Sequence, residues 1–265
     1  MTKIEWQRLL LPAWAFMAIS VTSIIFLQSL KYRYLQNDVE SNININAANQ
    51  QAYKQQLQFI NNFPKFGYEN VFANSVFLAF LQYFGNSEQR QVTGYSLSTQ
   101  YFEAIIEQDP LFIDSYIFLV NSISMYAGEP DESINLLSQG LESMHPNLPK
   151  RSYFIWRHKA TDELLFLGDT QAAKESYQTA ADWAEQSTDK NAPLVAALSR
   201  ETVDFLATDP SSKPAQIGAW SDVLIRAIDN NIREKAIARI EELGGTIIAS
   251  DNGSVTVRYK KDSNN

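Results

Sequence analysis

The stretch from Asp162 to Ala184 limits the possible folds more than any other part of the chain. An apolar helical run ends at Leu167, Gly168 follows, and Asp169-Thr170 opens a second run. Glycine takes the left-handed conformation without a Cβ penalty, so Gly168 is suited to stopping the first helix. Asp169 or Thr170 then supplies a short side-chain oxygen to an unpaired N–H in the next first turn. Ala173, Tyr177 and Ala180 fall at i, i+4 and i+7, which places them on one stripe of the second helix. Small residues in that stripe let the two helices approach closely. The expected unit is a helix–turn–helix hairpin.

Other glycines repeat the pattern. Gly128 and Gly168 are 40 residues apart, and Gly85 and Gly128 are 43 apart. Such periods fit stacked helix pairs, an α-solenoid. Val71–Phe84, Ser98–Glu107, Phe112–Tyr126, Asp131–Met144, Ser152–Leu167 and Gln171–Glu185 read as its helices. Two more precede Asp209-Pro210 and Ala227, and Asn231–Leu243 is the last. Thr246–Ser250 and Ser254–Tyr259 are β-branched runs around Asp251-Asn252-Gly253, a hairpin signal. Ile247, Val255 and Val257 are expected against Ile237 and Ile240. The glycosylation pattern at Asn252-Gly253-Ser254 is explained better by the turn.

The other end of the chain differs. Leu9–Leu30 carries no charged residue, and its polar side chains are Ser20, Thr22, Ser23, Gln28 and Ser29. As a helix it would reach about 33 Å, enough for a hydrocarbon core of roughly 30 Å. Trp6 and Trp14 near one end, with Tyr32 and Tyr34 near the other, suit interfacial positions. A cleaved signal peptide is the competing reading. The run is long for that, and no small-x-small site follows. One transmembrane helix is therefore expected. Lys3 and Arg8 balance Lys31 and Arg33, and the free amine tips the large domain toward the extracytoplasmic or lumenal side. The expected layout is a tail at 1–8, the span at 9–30, an Asn/Gln-rich stalk at 31–66, the repeat domain at 67–243, a β-hairpin at 244–260 and a tail at 261–265.

Composition excludes several chemistries. The net charge of −8 argues against a nucleic-acid surface. The absence of cysteine removes disulfides, thiolate metal sites and a Cys nucleophile. Two histidines, His145 and His158, leave little for a His-based metal site. No phosphate loop, Gly-x-Ser-x-Gly or His–Glu metal helix occurs. The adjacent pairs Asp162-Glu163 and Glu241-Glu242 point about 100° apart on a helix, so neither converges as an acid/base couple, and both read as solvated faces. No catalytic residue, metal or cofactor is expected, and the chain reads as a non-enzyme.

The second helices carry a resemblance. Gly128 leads to Asp131-Glu132-Ser133-Ile134, Leu137, Gly140 and Pro146; Gly168 leads to Ala172-Ala173, Tyr177 and Ala180; Phe102, Ile105 and Pro110 end a unit whose turn holds an insertion at 86–97. These resemble tetratricopeptide repeats. The first helices depart from that family, with Ile117 or Arg157 at its aromatic position and Asn121 or Thr161 at its small one. With the apolar N-terminal run, the layout is similar to membrane-anchored tetratricopeptide assembly factors of cyanobacteria and plastids, and the stretches 151–157 and 199–202 have a similar character. The resemblance implies an all-α solenoid whose first helices line a groove for a protein or peptide partner. Gln82, Tyr83, Phe118, Ser122, Met125, Tyr126, Ile155, His158, Asp162 and Phe166 would line it. It also implies a membrane-tethered scaffold for complex assembly, in a thylakoid or plasma membrane. A permanent subunit of a membrane complex and an enzyme with an inter-repeat pocket are the alternatives. Arg151, Arg157 and Lys159 form a basic patch that reads as surface ion pairing.

Overall fold

The computed structural model describes residues 19–26, 28, 29, 51, 55, 57, 67–208, 210–249 and 255–259. The chain divides into two units, Met1–Asn49 and Gln50–Asn265.

In the first unit, residues 19–26, 28 and 29 are helical. The transmembrane helix expected at Leu9–Leu30 is corrected here: among the described residues no helix is long and apolar enough to cross a membrane. Positions 9–18, 27 and 30 lie outside the described residues, as does most of the expected stalk at 31–66. The membrane anchor, the membrane as a partner, and the thylakoid or plasma-membrane location fall with that helix.

The second unit is an all-α arrangement of antiparallel helix pairs with a small C-terminal hairpin. Its helices are α1 (Glu69–Gly85), α2 (Ser87–Thr93), α3 (Ser98–Gln108), α4 (Tyr116–Val120), α5 (Pro130–Leu141), α6 (Tyr153–Asp162), α7 (Thr170–Gln186), α8 (Ala192–Leu206), α9 (Lys213–Arg226) and α10 (Asn230–Glu242). Strands β1 (Gly245–Ala249) and β2 (Val255–Tyr259) pair antiparallel, with Ile247 opposite Val257. The expected turn at 251–253 lies outside the described residues. Ile237, Ile240, Ile247 and Val257 share one apolar cluster, so the hairpin is supported by the helix before it.

Two helices do not end as ordinary α-helices. α4 continues as a π-helical segment at Asn121–Tyr126, and α6 does the same at Glu163–Leu167. Both then close identically. Glu129 N–H donates to the Ile123 carbonyl, and Asp169 N–H donates to the Glu163 carbonyl, six residues back in each case. The glycine before each donor, Gly128 or Gly168, sits at positive φ. Asp169 then caps α7 by accepting from Ala172 N–H at 2.9 Å.

Contacts between units show the stacking. Phe77 of α1 meets Phe118, and Phe84 meets Tyr126. Arg151 bonds Asp114, and Asp162 accepts from Ser124. Arg157 of α6 donates to Ser199 of α8. Later residues always meet later residues, so the first helices α1, α4, α6 and α8 run parallel. Between them, α3 packs on α1, α5 on α6, and α7 on both α6 and α8. On α7, the stripe Ala173, Tyr177, Ala180, Ala184 is buried, as its spacing predicts.

The array breaks its own pattern at α9. Instead of pairing with α8, α9 packs on both π-helical segments and on α10. Trp220 donates to the Phe166 carbonyl at 3.3 Å, and Lys235 donates to the Gly128 carbonyl at 2.6 Å. A Cβ on Gly168 would come within 2.7 Å of Gln216, and one on Gly94 within 2.8 Å of Asp229. The segment from 213 to 242 thus runs out past the turns at Gly168 and Gly128 to Gly94, and returns past Gly128 to Phe166, as a strap.

Candidate functional site

The parallel first helices form two distinct surroundings, one aromatic and one polar. The aromatic one lies between α1 and α4. Phe77 packs edge-on against Phe112 at 5.1 Å and Phe118 at 5.2 Å. About two helical turns further on, Phe84 packs edge-on against Tyr126 at 5.1 Å, and Tyr95 lies 4.9 Å from Tyr126. The Arg226 guanidinium from the strap stands over the Tyr126 ring at 5.6 Å. Phe118 is exposed, and Phe77, Phe84 and Tyr126 are half-buried, so this seam reaches the surface. Edge-to-face geometry is favoured by ring quadrupoles and fixes these rings in place.

The polar surrounding joins α4, α5 and α6 and is sealed. The Asp162 carboxylate accepts from Ser124 Oγ at 2.6 Å and from Ser133 Oγ at 2.7 Å, both through Oδ2. Its side chain is fully buried, and Oδ1 has no hydrogen-bond partner. Burial pushes its pKa up to about 7; the two serine hydroxyls oppose that shift, and Glu163 adds to it. Glu163 is also buried and pairs with Lys159, which reaches Ser176 of α7 at 3.3 Å. The solvated face expected for Asp162-Glu163 is therefore corrected: both carboxyls are buried, Asp162 against Ser124 and Ser133 of the preceding helix pair and Glu163 against Lys159 of its own helix.

The ten positions assigned to the groove are distributed as follows. Gln82 is exposed on α1. Tyr83 is buried, its hydroxyl donating to the Gly94 carbonyl and accepting from Leu97 N–H, with the buried Arg90 guanidinium 3.6 Å from its ring. Phe118 and Tyr126 belong to the aromatic seam. Ser122 is buried and donates to the Leu119 carbonyl. Half-buried Met125 packs with Phe166 and Trp220, whose rings meet edge-on at 5.5 Å. Ile155 is buried in the largest core cluster. His158 is half-buried, and burial followed by the neighbouring Arg157 lowers its pKa to about 4, so it is neutral near pH 7. Asp162 holds the polar knot. Among the ten, the structure brings Phe118 and Tyr126 into one seam, and Met125 and Phe166 into one cluster. Of the basic patch, Arg151 pairs with Asp114 at the surface, whereas Lys159 is drawn inward to Glu163.

Sequence reasoning did not find Ser124, gave Ser133 no polar role, and read Glu163 and Lys159 as surface groups. One available signal was Ser133 on the buried stripe of α5, where an apolar residue is usual. The strap contacts left no sequence signal. Among the described residues, no group of three or more acidic or histidine side chains could hold a metal.

No family model matches the chain, and no curated protein or solved structure matches it. The tetratricopeptide membership implied by the second-helix motifs, and with it the likeness to cyanobacterial and plastid assembly factors, is thus corrected. The helix-pair, solenoid-like arrangement stands on the geometry alone.

Proposed function

We propose that the chain is a protein-interaction module that takes a segment of a partner protein along the aromatic seam of its first helices. The observation carrying this reading is the pair of edge-to-face contacts, Phe77–Phe118 and Phe84–Tyr126, repeated between α1 and α4 at a part-exposed surface. Pre-fixed aromatic rings gain apolar contact at low entropic cost, and such residues dominate binding surfaces. The acidic balance disfavours a nucleic-acid ligand.

A non-enzymatic role fits the chemistry better than catalysis. The one strongly raised carboxyl on the first helices, Asp162, is closed to substrate by its own burial. Surface hollows along α7 and α8, lined by residues such as Gln171, Lys174 and Gln178 or Ser187, Pro193 and Arg200, contain neither Asp162 nor Glu163.

The test is a photo-crosslinking side chain placed at Phe118 in living cells, with the same group at exposed Lys213 as control. The expected result is a discrete protein adduct at position 118 that is lost when Tyr126 is changed to Ala. Failure to form any adduct specific to position 118 would overturn the reading.

A further inference from the structure

α8 has an uncovered second face. Its inner face, Val195, Ala196, Ser199 and Leu206, is buried, chiefly against α7. On the opposite side, Leu194, Leu198 and Phe205 are 64%, 45% and 60% exposed. With Glu201 they follow alternating steps of four and three residues, the spacing of a helix–helix seam. α6, the equivalent helix one unit earlier, has α5 on one side and α7 on the other. Among the described residues α8 has no second partner helix, because α9, next in the chain, is committed to the strap. The vacancy has the shape of a helix, since each earlier first helix is followed by one packed antiparallel to it.

The charges beside the vacancy narrow what fits. Glu201 interrupts the apolar seam at its middle, and Asp204 flanks it; both are exposed. The single cation on α8, Arg200, is already held by Asp182 and Glu185 of α7. A second copy of α8 laid antiparallel would bring two sets of Glu201 and Asp204 into one seam with no free cation to answer them. An occupant with basic residues beside an apolar stripe meets both features.

We propose that the outer face of α8 docks an amphipathic helix of a partner protein, apolar along one stripe and basic at its centre, in the place of the missing second helix. This surface is separate from the aromatic seam and does not depend on it. Leucine-type anchors spaced along the incoming helix would seat against Leu194, Leu198 and Phe205, and its lysines or arginines would face Glu201 and Asp204.

The test uses the full chain and two labelled peptides of about 15–18 residues, matched to the length of α8. Both carry the same leucine stripe; one has lysines and the other glutamates beside its centre. Fluorescence anisotropy is expected to show the lysine peptide binding about fivefold or more tightly than the glutamate peptide. Leu198→Asp and Phe205→Asp should each weaken binding about tenfold. Glu201→Lys should reverse the peptide preference, and Phe118→Ala should leave it unchanged. Circular dichroism and thermal melting check that the variants fold, which their exposed positions favour. No binding, binding indifferent to peptide charge, or binding unmoved by Leu198→Asp would each overturn the proposal. Sedimentation showing a dimer abolished by Leu198→Asp would overturn it too, and assign the face to a second copy.

Discussion

The buried Asp162 carboxyl shows how much one residue can depend on its surroundings. Its carboxyl holds a proton up to about pH 7 in the folded chain, whereas an unfolded Asp releases it near ~3.9. Between those values the native state binds more protons than the unfolded state, so this group's contribution to stability falls as pH rises from about 4 to about 7 and is constant above. Asp162→Asn cannot titrate and keeps a polar group for Ser124 and Ser133. Urea unfolding of both proteins from pH 4 to 8 should show the wild type losing, relative to the variant, on the order of 2–4 kcal/mol across that window. Parallel curves would sink this account. Gly140 is a second residue-scale case. A Cβ there would lie 2.0 Å from the Tyr116 hydroxyl, which is fixed by a bond to the Pro110 carbonyl. Gly140→Ala is expected to destabilise by about 1–3 kcal/mol, read from the shift in denaturation midpoint.

Among elements, the informative ones are the two π-helical segments. Each widens the end of a first helix just before a positive-φ glycine, and each is where the strap docks. An α-helix widened in this way is frequent at functional positions. Ser124 lies on the first of the two segments and bonds Asp162, the residue just before the second. Helix existence, the turn glycines Gly128 and Gly168 and the Asp169 cap were legible from local pattern, because left-handed backbone and capping oxygens need particular residue types. Gly85, expected as a third turn, instead ends α1, and the left-handed glycine there is Gly94. The widening was not legible, since Asn121–Tyr126 and Glu163–Leu167 read as ordinary helix and the extra turn width depends on what packs against it. Gly168→Ala combines left-handed strain with a clash against Gln216. It should cost about 1–3 kcal/mol, visible as a lower melting temperature. The same change at exposed Gly85, where a Cβ meets nothing within 4 Å, should be close to neutral.

At the scale of the whole molecule, the strap decides how the repeat units are held. Trp220 is almost fully buried, bonds the Phe166 carbonyl and packs on its ring. Trp220→Ala should destabilise by about 3–5 kcal/mol. Hydrogen exchange should then show the turns around Gly128 and Gly168 losing protection together, while α7 and α8, which the strap does not cover, keep theirs. Loss of protection confined to α9 itself would mean that the strap only rests on the array. The sequence by itself determined most of the helices, the turns at Gly128 and Gly168, the two final strands and the acidic, cysteine-free chemistry. These follow from local spacing, backbone preference and composition. Tertiary structure decided the rest: that α9 leaves α8 and crosses the turns, that Asp162 and Glu163 lie inside, and that Phe118, Tyr126 and the α8 stripe stay accessible. It also corrected the expected membrane span: among the described residues no helix is long and apolar enough to cross a membrane. Which apolar face finds a partner depends on contacts between segments far apart in the chain, and those have no local signature.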